Sequence, residues 1–139
     1  MTLWVLDTDH FSLLQRGEPQ LIQRINAVSD EEIAITMVTV VEQLYGRLNQ
    51  IKSAKSANTL TFAYRQLEET LEDFQNINLL AFDLDAYNCY SELVRRKIRI
   101  GTQDLRIAAV VISRNGILVT RNRRDFDRVP GLNFEDWTI

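Results

Sequence analysis

A rhythm of short apolar runs, separated by longer stretches with helical spacing, restricts the fold of this chain more than any other feature of its sequence. Leu3–Leu6, Ile33–Thr36, Ile77–Phe82 and Ile117–Thr120 read as strands, with a weaker one at Leu132–Phe134. Strands that are apolar without alternation belong in a parallel sheet covered on both faces. From Ser53 to Phe74 the residues Leu60, Ala63, Tyr64, Leu67, Leu71 and Phe74 recur at three- and four-residue steps, which predicts an amphipathic helix. Helical runs are also predicted over Val38–Tyr45, Asp85–Lys97 and Thr102–Arg114, the last stopped by Gly116. The alternation predicts an α/β chain: three layers, α/β/α, around a central parallel sheet of about five short strands. With 139 residues, two prolines and five glycines there is little room for a linker, so residues 1–139 are expected to form a single domain.

Charge and cysteine content narrow the setting. One thiol, Cys89, cannot build a disulfide framework, which fits a reducing compartment such as the cytoplasm. The opening Met1–Asp7 segment has no basic stretch and reaches a charge too soon for a signal peptide or a spanning helix, and reads as a buried strand. A net charge of -3 argues against a nucleic-acid partner when taken as an average. The average conceals a segregation. Residues 95–128 hold Arg95, Arg96, Lys97, Arg99, Arg106, Arg114, Arg121, Arg123, Arg124 and Arg128 against only Asp104, Asp125 and Asp127. Arginine is the cation suited to bidentate phosphate contacts, although a solvated helix face would have the same composition.

In parallel α/β sheets, chemistry gathers at the carboxyl ends of the strands, near a switch in strand order. Asp7 ends the first apolar run, Glu42 follows the second, and Asp125 follows the fourth, while Asp104 opens a helix that returns to the sheet. Each has a structural alternative. Thr39-Val40-Val41-Glu42 matches a capping box, an acid such as Asp104 suits any first helical turn, and Asn122 and Asp125 could share a cap. Asp9 could cap the helix through Phe11–Leu14. Gathered together, the carboxylates would repel, since two charges about 5 Å apart at an effective dielectric near 20 cost roughly 3 kcal/mol. The hard oxygen donors, without cysteine or histidine partners, point to Mg²⁺ or Mn²⁺ as the neutralising group. His10, the only histidine, is expected to be a surface or helix-start residue rather than a ligand.

Four blocks of this sequence, in order and spacing, resemble the motifs of PIN domains: Leu6–Asp9, Val41–Gly46, Ile100–Ala109, and Val119–Asn122 followed by Asp125-Phe126. The closing Val129–Leu132 with Glu135-Asp136-Trp137 resembles the tail of VapC-type toxins of toxin-antitoxin pairs. The resemblance implies a five-stranded PIN-like sheet and metal-binding, catalytic roles for Asp7, Glu42, Asp104 and Asp125. It implies phosphate or nucleophile positioning by Thr120 and Asn122. Arg121, Arg123 and Arg124, which surround Asn122, are expected to face substrate phosphates unless i, i+4 pairs tie Arg121 to Asp125 and Arg123 to Asp127. The implied activity is a metal-dependent endoribonuclease whose partners are RNA, an antitoxin protein and a second copy of the chain. Asp9 departs from the asparagine frequent in the family. Two other readings stand beside this one. A hydrophobic strand ending in Asp7-Thr8-Asp9 also resembles the first motif of haloacid-dehalogenase-like phosphatases, with Asp7 as nucleophile, but that family needs a later lysine and only Lys52, Lys55 and Lys97 are present. A PIN-like binding module without catalysis is the other, although such modules show gaps in the acidic set.

Overall fold

The computed structural model describes residues 1–139. Five strands, β1 (Trp4–Leu6), β2 (Ile33–Thr36), β3 (Asn78–Leu80), β4 (Ile117–Val119) and β5 (Asn133–Glu135), form one sheet in the order β3-β2-β1-β4-β5. Every neighbouring pair is parallel. Seven helices connect and cover them: α1 (Thr8–Gln15), α2 (Pro19–Asn26), α3 (Met37–Ser53), α4 (Ala57–Gln75), α5 (Leu84–Arg95), α6 (Thr102–Ser113) and α7 (Arg123–Phe126). The expected three-layer architecture and strand positions are met. No helix is long and apolar enough to cross a membrane.

Period-two alternation along the strands feeds two separate cores. Val5, Ala34 and Leu118 point to one face, where they meet Leu93 of α5 and the buried run Leu105–Val111 of α6. Their neighbours Leu6, Ile33, Ile35 and Val119 point to the other, against Phe11, Leu21, Phe74 and Trp137. Gly116 sits where the chain turns into β4, and a Cβ there would lie 3.2 Å from the Leu3 carbonyl, so the stop inferred from the sequence is also a close approach of two backbones.

Three local expectations are corrected. The helix expected from Ser53 begins at Ala57, because Ser53 ends α3 and Ser56 caps the next helix by accepting from Thr59 N–H. Helix α2 went unread, although Pro19 in its first turn and the Glu18 carboxylate accepting from Leu21 N–H mark its start. The stripe on α4 is only half inward: Ala63, Thr70 and Phe74 are buried, whereas Leu60, Tyr64 and Leu71 face solvent.

The strand order places the switch between β1 and β4. From β1 the chain proceeds outward through β2 to β3, then returns to the other side of β1 to lay down β4 and β5. The connections from β1 and β4 therefore leave in opposite directions and open a crevice at their carboxyl ends.

Candidate metal centre

The register pairs Leu6 with Val119, so the next residues, Asp7 and Thr120, stand side by side at the crevice. Asp7 N–H donates to the Val119 carbonyl, which carries the sheet ladder one step further. The Asp7 carboxylate is almost fully buried and fixed by two donors. Its Oδ1 accepts from His10 N–H at 2.7 Å, and its Oδ2 accepts from the Thr120 hydroxyl at 2.7 Å. The first of these makes Asp7 the N-cap of α1, the position expected of Asp9.

Glu42 reaches the same place from α3. Thr36 caps that helix and accepts from Thr39 N–H, so Glu42 lies in the second turn and the capping-box alternative does not hold. The Thr8 hydroxyl donates to Glu42 Oε1 at 2.6 Å, and Thr39 Oγ1 lies 2.9 Å from Thr8 Oγ1, oriented to supply the proton that Thr8 no longer offers it. Beside it, Gln43 and Gln15 exchange amide hydrogen bonds of 2.7 and 2.9 Å, clamping α3 to α1. The clamp ties the residue next to Glu42 to α1.

Asp104 stands in the first turn of α6, whose N-cap is Gly101 and offers no side chain. Burial pushes its carboxyl up to about 6, with the charges of Asp7, Glu42 and Asp125 adding to the effect. Three carboxylates that are far apart in sequence thus act on Asp104 through space. Asp125 is held from α7, where Asn122 accepts from Asp125 N–H and donates through Nδ2 to Asp125 Oδ2 at 3.0 Å, the shared cap read from the sequence. The cleft bounded by Asp7, Thr8, Asp9, Glu42, Asp104, Arg121 and Asn122 encloses about 360 Å³ and is lined by no hydrophobic residue. Hard oxygen donors that repel one another in a polar, open cleft fit a divalent cation such as Mg²⁺ or Mn²⁺.

Asp7, Asp9 and His10 bring one ligand atom each within 4.8 Å of one another. That trio is closed to a cation, because Asp9 is engaged by Arg121 and His10 is sealed inside the core. Sequence reasoning placed His10 at a helix start or on the surface. It lies in the first turn of α1 but is fully buried, with Nε2 accepting from Trp137 N–H and Nδ1 3.5 Å from Asp7 Oδ1.

A match to the PIN domain covers residues 4–132. The chain belongs to the PIN domain family. Among its relatives, the tRNA(fMet)-specific endonuclease VapC of Salmonella typhimurium is 26% identical over 137 residues, 99% of each chain. A ribonuclease VapC2 of Rickettsia felis is 30% identical over 105 residues, 76% of this chain and 74% of its own length. Of the solved structures, a DNA-bound VapBC complex from Salmonella typhimurium contains a chain that superposes with a TM-score of 0.80 at 27% identity, covering 99% of both.

Within this PIN domain the residues expected at substrate are placed unequally. Thr120 is fully buried, with its hydroxyl committed to Asp7 and receiving Asn122 N–H, so it bears on Asp7 and is closed to solvent. Asn122 lines the cleft, whereas Arg123 and Arg124 are exposed on the short helix behind it. Neither i, i+4 pair forms: Arg121 turns to Asp9, and Arg123 has no carboxylate partner. Thr8 and Gln43 were missed as supports of Glu42. Thr8, between two aspartates at a helix start, carried a faint signal, and Gln43 carried none.

Proposed function

We propose that this PIN domain is a metal-dependent endoribonuclease, the toxin of a toxin-antitoxin pair, hydrolysing RNA phosphodiesters at the cleft between β1 and β4. The observation that carries the proposal is the meeting of Asp7, Glu42 and Asp104 around one polar cleft at the switch in strand order. Asp7, Asp104 and Asp125, with Glu42, would hold Mg²⁺ or Mn²⁺, and when bound such an ion supplies Lewis acidity and neutralises charge developing on the phosphate. The protein's own work is positioning. Thr120 and His10 N–H fix Asp7, Thr8 fixes Glu42, and Asn122 fixes Asp125 while lining the cleft. Arg121, Arg123 and Arg124 are the cations through which substrate phosphates would be held. Attack by water leaves a 5′-phosphate and a 3′-hydroxyl and needs no ribose hydroxyl.

The names of the relatives support the substrate class, and transfer RNA is the first RNA to test. The phosphatase alternative loses support, because no lysine lines the cleft. We also propose a single domain, a cytoplasmic setting, a homodimer, and an antitoxin protein as regulator. Exposed Val41, Tyr45 and Leu48 on α3, with Leu60, Phe62, Tyr64 and Leu71 on α4, offer apolar surface for such contacts. The decisive experiment is cleavage of total RNA by the purified protein with Mg²⁺, with Mn²⁺ and with chelator, beside an Asp7→Asn control. Metal-dependent fragments bearing 5′-phosphates, absent from the control, are expected. Cleavage that survives chelation or Asp7→Asn defeats the assignment.

A further inference from the structure

Asp9 and Arg121 form the tightest pair at the mouth of the cleft, and their geometry differs from that of the other acids. Arg121 Nε donates to Asp9 Oδ2 at 2.7 Å and Nη2 donates to Asp9 Oδ1 at 2.8 Å, across 112 residues of sequence. Both Asp9 oxygens are thus engaged as acceptors in a fork. A carboxylate used in this way is not a free donor for a cation. The guanidinium is only partly spent, because Nη1 and the second Nη2 hydrogen remain, and its side chain is 50% exposed.

An acidic cleft poses two problems for a polyanionic substrate, and the pair answers both. RNA is repelled unless a cation stands at the rim. A long arginine beside four carboxylates would otherwise swing inward and compete with the metal for them.

Resting on the endoribonuclease reading, we infer that Asp9 is a positioning residue: its fork to Arg121 holds the guanidinium outside the metal site, with its remaining N–H donors free for a non-bridging oxygen of an RNA phosphate. Asp9 thereby helps RNA binding although it carries the same charge as RNA. A residue that acted only through its charge would have the opposite sign.

The test is a four-member cycle of wild type, Asp9→Ala, Arg121→Ala and the double variant. It is read as steady-state cleavage of unfractionated transfer RNA and as the Mn²⁺-induced shift in melting temperature. Losing one charge-assisted phosphate contact should raise KM about tenfold in Arg121→Ala, with kcat within about twofold. Asp9→Ala should raise KM about three- to fivefold by loosening that contact, and should add nothing in the Arg121→Ala background. The Mn²⁺ shift should be the same in all four. A KM lowered by Asp9→Ala would make Asp9 a repelling charge and overturn the inference. So would an Asp9→Ala effect that persists without Arg121, or a weakened Mn²⁺ response in Asp9→Ala. Both residues are half exposed, and a melting curve for each variant without metal checks that folding is retained. A wild type that neither cuts nor binds the RNA removes the endoribonuclease reading as well, whereas a cutting wild type with an additive cycle removes only the role of Asp9.

Discussion

Asp104 registers the cost of burying an acid beside three others, and that cost has a sign that can be measured. Its carboxyl is raised in the folded protein to about 6 from an ordinary 3.8. A raised folded value means that the fold favours the protonated form, so this stabilisation is complete below about pH 4 and is lost as the pH climbs through about 6. The metal-free protein should therefore gain stability when acidified from pH 7.5 towards pH 5. Asp104→Asn should abolish that gain by removing the charge outright. The displacement corresponds to at most about 3 kcal/mol, which solvent in a half-open cleft reduces to roughly 1–2 kcal/mol. Denaturant melts of wild type and Asp104→Asn at pH 7.5 and pH 5 check this, and equal pH dependence in the two would remove Asp104 from the cluster. Asp7→Asn is expected to behave differently. Asparagine caps a helix as well as aspartate does, so α1 and the fold should survive, while RNA cleavage falls by at least about a hundredfold for want of a metal-holding charge.

At the level of elements, helix α3 divides its labour between its two sides. One side carries Glu42 into the cleft and clamps Gln43 to α1, and the other presents Val41, Tyr45 and Leu48 to solvent. Tyr45→Asp combined with Leu48→Asp should weaken self-association or antitoxin binding while leaving RNA cleavage by the isolated chain within about twofold. Size-exclusion chromatography with light scattering and pull-down of the product of the neighbouring reading frame read the two contacts separately. Helix α7 has a different task. Only four residues long, it orients Asp125 through Asn122 and leaves Arg123 and Arg124 outside without ion partners. If both neutralise phosphates, their joint change to Ala in an Asp7→Asn background should flatten the salt dependence of RNA affinity by up to about 1.4, at about 0.7 per single-strand contact. An unchanged slope would place them off the RNA path.

The proposed site would couple to the fold of the whole molecule, because its carboxylates come from α3, α6, α7 and the end of β1, and a cation held by all of them would bind only the native state. Millimolar Mn²⁺ or Mg²⁺ should accordingly raise the melting temperature, by about 2.7 kcal/mol of added stability at a hundredfold excess over Kd. That rise should shrink below about pH 6 as protons compete for Asp104, and a melting curve indifferent to both ions would count against the cleft as a metal centre. Local patterns in the sequence were sufficient for the sheet, since five apolar runs with helices between them admit few arrangements, and sufficient for the positions of Asp7, Glu42, Asp104 and Asp125 relative to strand ends. The Asn122–Asp125 cap was legible too, because a cap is made within four residues. Partners distant in sequence were not legible. That Arg121 reaches across to Asp9 and ignores Asp125, that Thr120 is sealed against Asp7, and that His10 is buried beneath Trp137 all depend on strand order placing β4 beside β1 and on the tail closing over α1. The apolar pattern of a segment records how many of its faces are covered. Only the packed structure decides which charge meets which, because that choice turns on differences of a few ångströms between groups that no local spacing encodes.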